Sequence, residues 1–457
     1  MGTTDFSMGS LRVHAGQNLA GHVMLGMGMA FLALALAACG QREPNLQGER
    51  LDIRAPLDGE APAEPEVRAD RLAIPAPAVN AAWTHRNGSA EHTLRHPALN
   101  STLTRVWGAN IGTGNSRKLQ ITGDPIVAGG RVFAMDASAG VRAFTPAGDP
   151  VWTADLTPPN ERNGEVSGGG LAFGSGILAA TTGHGDVFVL DPATGDVRWR
   201  HRMPGSISVP PVITGDVVVA VGRDNTAMGL DLENGRILWQ QLSPGDIAGV
   251  AGAGAPAAKG NLVVIPYASS EIIGVAARNG VRAWSSAVTG AEKGIARGFV
   301  RALSSDPVID GNTLYVGNQS GRVASLDRRS GATNWIARDG SYTPVWPAGG
   351  AVFIVTDNFQ VKRLNASDGA EVWSADLPGY KANRDRRRKA AFAHFGPILA
   401  GGQLWVAGSD GFLRSYSPTD GTLTGTVDIP GGAASQPAVA GGRLYVISGN
   451  GQLHAFQ

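Results

Sequence analysis

The chain of 457 residues has room for about three domains by length alone, and its 39 Lys and Arg against 38 Asp and Glu leave a net charge of +1. That balance offers no field to gather nucleic acid. One cysteine excludes a disulfide framework, while 64 glycines and 27 prolines point to a chain with many turns.

Taken in order, residues 24 to 38 form an apolar run shorter than the ~20 residues a permanent spanning helix needs, so residues 1–39 read as a secretory signal. The run ends in Leu36-Ala37-Ala38-Cys39-Gly40, which resembles the bacterial lipoprotein box, and Cys39 is expected to be lipidated. Residues 40–80 are rich in Pro, Ala, Glu and Arg with few large apolar side chains, too few to offset the entropy of ordering, and are expected to form a disordered tether. Large apolar residues return at Trp83, followed by His85, His92 and His96. His92 and His96 have metal-ligand spacing for a helix, but Pro97 and the lack of helical periodicity argue against a helix there, and no metal is expected.

Residues 104–114 carry Trp107 and look like the last strand of a sheet whose earlier strands are missing. From Asp124 onward a four-stranded unit repeats. Its clearest hairpin is Val187 to Trp199: an apolar strand ends at Asp191, whose carboxylate can hold the turn, Gly195 supplies a positive φ, and an alternating strand delivers Trp199. The pattern returns with Gly148 and Trp152, Gly235 and Trp239, Gly280 and Trp284, Gly331 and Trp335, Gly369 and Trp373, and in degenerate form with Gly421 and Gly425. Before each hairpin stands a weaker signature with Pro, an apolar pair and a Gly turn, as in Asp124-Pro125 and Asp306-Pro307. Intervals of about 40 to 50 residues are those of propeller blades. The C-terminal residues 436–456 supply strands that stop short of a Trp strand, and Trp107 completes them, leaving no free edge. The expected fold is all-β, an eight-bladed propeller of four-stranded antiparallel blades over residues 81–457.

Nothing in the chain has the spacing of a nucleophile elbow, a Walker loop or a metal cluster. The glycine groups at 108–114 and 168–170 lie on blade connections, whereas a dinucleotide fingerprint requires a following helix. Two stretches break the repeat. Residues 285–306 carry Glu292, Lys293, Arg297, Arg301 and Asp306, and residues 384–389 form a basic cluster.

The Asp-x-x-Thr/Asn/Ser-Gly-x-x-x-Trp repeat resembles the PQQ-type β-propellers. With the lipoprotein box, the eight-blade count, the Val106-Trp107 closing strand and the hairpin lacking Trp, the chain resembles the BamB family of outer-membrane protein assembly factors. The resemblance implies a non-catalytic scaffold without cofactor, lipid-anchored on the periplasmic face of the outer membrane. Its implied partner is the BamA-type barrel protein, with unfolded outer-membrane proteins as further clients. It places docking in the loops 242–256 and 285–306, with Asp246, Arg301 and Asp306 as the residues at those positions. A PQQ-dependent periplasmic dehydrogenase is the alternative. Many of those enzymes carry a vicinal disulfide beside the quinone, which a chain with one cysteine cannot form.

Overall fold

The computed structural model describes residues 69–161, 164–243, 254–288, 303, 305–318, 321–382 and 390–457. Among them the chain forms eight four-stranded antiparallel sheets. Blades I to VII span 126–155, 169–202, 212–242, 257–287, 308–337, 346–376 and 394–428. Blade VIII combines Ala438–Ala440, Arg443–Ser448 and Gln452–Phe456 with Arg105–Asn110 from the other end of the chain. Trp107 pairs there with Ala455 and Asn110 with Gln452, which closes the ring as expected. Within each blade the first strand faces the axis and is mostly buried, while the fourth alternates exposed side chains with half-buried or buried ones.

The hairpin chemistry explains how blades adhere to one another. Asp191 Oδ1 accepts the Ala193 N–H at 2.8 Å, and the Gly195 N–H closes the turn on the Asp191 carbonyl at 2.8 Å. Gly195 has φ of +81°, and a Cβ on it would stand 2.6 Å from the Trp152 ring of the preceding blade. Glycine is therefore needed twice, for the backbone angle and as a seat for an indole. Gly235 and Gly331 receive Trp199 and Trp284 in the same way. Each of Trp107, Trp152, Trp199, Trp239, Trp284, Trp335 and Trp373 also donates its Nε1–H to a carbonyl in the next blade's turn, at 2.6 to 3.2 Å.

The eighth position holds Gly425 for a topological reason. Blade VIII has no turn between its third and fourth strands, because the chain ends meet there, Thr104 and Gln457 exchanging backbone hydrogen bonds at 2.9 Å. An indole on blade VII would find no turn carbonyl to bond. Truncating a latch should be costly: Trp239→Ala removes a ring that is 6% exposed and bonded to Ala277. A loss of about 3–5 kcal/mol is expected from urea unfolding, against under ~0.5 kcal/mol for Leu423→Ala on the exposed side of an outer strand.

The N-terminal segment departs from expectation. Residues 69–80, expected to be the end of a tether, lie on the propeller: Asp70 N–H donates to Asn365 Oδ1 at 2.7 Å, and Ala73 N–H to the Gly349 carbonyl at 2.8 Å. Residues 81–100, expected to open the propeller, belong to no blade. They form a plug across the axis that bonds to blade after blade. Trp83 exchanges hydrogen bonds with Val127 of blade I, and Thr84 O accepts from Phe173 of blade II. His85 Nε2 accepts from Ile213 of blade III, while Ala90 O and Glu91 O accept from Ala258 and Ile309 of blades IV and V. Asn87 Nδ2 donates to Val345 O at the edge of blade VI. Pro97 O accepts from Gly401 in the turn of blade VII, and Asn80 O, just before the plug, accepts from Gly441 in the turn of blade VIII. The physical reason is that first strands are inner edges whose buried N–H groups need partners. Trp83 stacks on Trp346 at 6.2 Å between ring centres, and both are fully buried.

Candidate functional site

The plug meets the ring where the first two strands of each blade turn back. Connections between successive blades run across the opposite face, where the residues just before the first strands surround a cavity of about 670 Å³. Asp124, Ser208, Asp306, Thr343, Phe395 and Gln436 reach it from six blades or their entries.

At its floor Arg86 extends from the plug and joins opposite sides of the ring. Its Nε donates to Asp124 Oδ2 at 2.5 Å, its Nη1 to Asp306 Oδ2 at 3.3 Å, and its Nη2 to the Thr122 carbonyl at 2.8 Å. Asp124 enters blade I and Asp306 enters blade V, four blades apart in a ring of eight. The remaining carboxylate oxygens accept backbone N–H groups of Gln436 at 2.8 Å and Ala255 at 2.5 Å. Burial pushes both carboxyl groups above their ordinary range, and the guanidinium between them acts in the opposite direction. The Arg86 pKa is itself raised by its two carboxylate partners, against the desolvation that opposes it.

Asp306 is therefore not a docking residue on an exposed loop. It is 2% exposed and holds the plug to blade V. Asp246, Arg301 and Cys39 lie outside the described residues, as do Glu292, Lys293, Arg297 and the cluster from Arg384 to Lys389. The loops themselves join the fourth strand of one blade to the first of the next, after Leu242 and Ala287, so their ends belong to the face that carries the cavity. His92 and His96 serve backbone contacts. His92 Nδ1 donates to the Pro307 carbonyl at 2.9 Å, and His96 lies between Pro75 O and the Gly402 N–H. Among the described residues no group of His, Cys, Asp and Glu could hold a metal ion.

The sequence reading missed Arg86 and Asp124. A signal is present, because Asp-Pro recurs at 124 and 306 at the same point of two blades, at the start of the signature that precedes each hairpin.

Comparisons with known proteins agree with this architecture. The family model described as outer membrane protein assembly factor BamB matches residues 137–375 and 357–457. A protein of that name from Shewanella oneidensis is 26% identical over 359 residues, covering 76% of this chain and 87% of the relative. The crystal structure of BamB from Moraxella catarrhalis superposes with a TM-score of 0.63 at 21% identity, covering 78% of this chain and 98% of that one. A europium-containing methanol dehydrogenase superposes with a TM-score of 0.66 at 14% identity, covering 82% and 98%, which shows that the fold is shared with enzymes. With both halves of its blade repeat matched by one family model, this chain belongs to the BamB family of outer membrane protein assembly factors.

Proposed function

We propose that the protein is a non-catalytic platform of the outer-membrane β-barrel assembly machinery, held on the periplasmic face of the outer membrane by a lipid on Cys39. Its partner is the BamA-type barrel protein, and unfolded outer-membrane proteins are its clients. The observation that carries this reading is family membership over most of the propeller, through relatives named as assembly factors. Mechanical considerations agree with it. Seven indole latches and a plug that bonds around the axis make a stiff ring, and a stiff ring loses little entropy when an extended partner docks on its loops or edges. Desolvated carboxylates at the centre are tied to Arg86 and backbone N–H groups, which suits a strut better than a general acid or base.

Docking is assigned to the loops after blades III and IV. Asp246→Arg combined with Arg301→Glu reverses two loop charges without touching the Asp306 strut. Capture of the barrel protein by the double variant is expected to fall by roughly tenfold or more, with an unchanged melting temperature. Undiminished capture would remove the loop assignment.

A further inference from the structure

The cavity has a chemistry of its own on the side of blades VI and VII. Tyr342, Phe359, Tyr380, Phe392 and Phe395 form an aromatic wall, with Phe359 and Tyr380 meeting edge to face at 5.3 Å. The floor carries the carboxyl groups of Asp124 and Asp306 on either side of Arg86.

Two lining side chains present buried atoms without a hydrogen-bond partner among the described residues, His394 Nδ1 and Gln436 Oε1. The residues are 8% and 5% exposed. His394 Nε2 lies 2.8 Å from the Pro378 carbonyl, which only accepts, so Nε2 carries the hydrogen and Nδ1 of the neutral ring is an acceptor. Burial keeps that ring neutral by lowering its pKa. Gln436 Oε1 is an acceptor as well, and its residue's backbone N–H is engaged with Asp124.

A ligand that satisfies this site must donate hydrogen bonds to acceptors on two different blades. It gains from positive charge over the carboxylate floor and from a planar cation that can lie on aromatic rings. A guanidinium meets all three demands, because its five N–H groups spread in a plane while an ammonium is a compact point charge. The volume exceeds what one side chain fills and falls within the usual range for ligand pockets, about 300–1,000 Å³, so neighbouring residues of the ligand have room too. We propose that this cavity receives an arginine side chain presented by an extended peptide with apolar neighbours. The inference does not depend on the loops at 246 and 301, so the two assignments fail separately.

The test is calorimetric titration of the purified full-length protein with acetyl-Leu-Arg-Leu-amide, its citrulline counterpart and its glutamate counterpart. The arginine peptide is expected to saturate the protein, the citrulline peptide to bind roughly tenfold more weakly, and the glutamate peptide not to bind. Gln436→Leu removes the side-chain acceptor while leaving the backbone bond to Asp124, and should weaken the arginine peptide by roughly tenfold at an unchanged melting temperature. The ¹⁵N resonance of His394 Nδ1 should move on binding. Equal binding of the arginine and glutamate peptides, absence of saturation at millimolar peptide, or full affinity in both Gln436→Leu and His394→Phe would overturn the proposal.

Discussion

Replacing Arg86 by methionine is expected to lower the unfolding free energy by about 3–5 kcal/mol, the cost of leaving a buried charge without its partner. Two such charges are involved, since Asp124 and Asp306 both lose the guanidinium and stay buried at 6% and 2% exposure. The pH dependence has a definite sign. A carboxyl whose folded pKa lies above its unfolded value contributes stability that is present at low pH and lost as pH rises through the folded pKa. Removal of Arg86 raises both folded values further, so the deficit of Arg86→Met should be larger at pH 8 than at pH 5. Denaturant midpoints at the two pH values check this. The triple variant Arg86→Met, Asp124→Asn, Asp306→Asn should recover much of the loss, because it buries no charge. A deficit below about 1 kcal/mol at pH 8 would mean that the strut does not carry the plug.

Acidification is expected to loosen the plug through two histidines. His85 and His92 are each lowered to about 3, chiefly because burial disfavours the imidazolium; the charge of His92 adds to the effect on His85, and that of Arg86 to the effect on His92. In the unfolded chain both titrate near 6.5. Their folded values are depressed, so this contribution is complete above pH 6.5 and shrinks as pH falls toward 3. At about 1.4 kcal/mol per unit and group, the two together forfeit about 4 kcal/mol between pH 7 and pH 5. Asp124 and Asp306, with raised values, work in the opposite direction over the acid range. A comparison isolates the histidines. An amide oxygen of Gln at 85 can take the place of Nε2 and accept from Ile213, and the amide nitrogen of Asn at 92 can take the place of Nδ1 and donate to Pro307, so the double variant His85→Gln, His92→Asn should show a stability profile flatter by that amount, with the carboxylate contribution common to both proteins. Parallel profiles would show that the imidazoles stay neutral for no energetic cost, contrary to the argument.

The blades were legible because their signals are local. A turn of Asp, Gly and an alternating strand is read within about a dozen residues, and the Trp of one hairpin identifies itself by its spacing from the Gly before it. Ring closure was legible too, since an isolated Trp107 strand and a C-terminal unit lacking one are complementary absences. The plug was not. Residues 69–80 have the composition of a tether, and residues 81–100 have neither period 2 nor period 3.6. Their partners are largely backbone groups on first strands and turns from Val127 to Gly441, which carry no side-chain signature in the sequence.

Asp306 shows the same division at one residue. In the sequence it stands at the end of a charged stretch after Arg301 and reads as part of a loop surface. In the fold its carboxylate is turned to the axis, where Arg86, 220 residues earlier, reaches it. His92 and His96 have ligand spacing in the sequence, and the fold gives them backbone partners.

By itself the sequence determined the all-β class, the number of blades, the latch residues and the way the ring closes, because each follows from turn geometry and strand alternation over short distances. Tertiary structure alone decided what fills the axis, which charges are buried there, and which atoms line the cavity above them. Those depend on where eight first strands converge, and convergence is a property of the closed ring that no single repeat encodes.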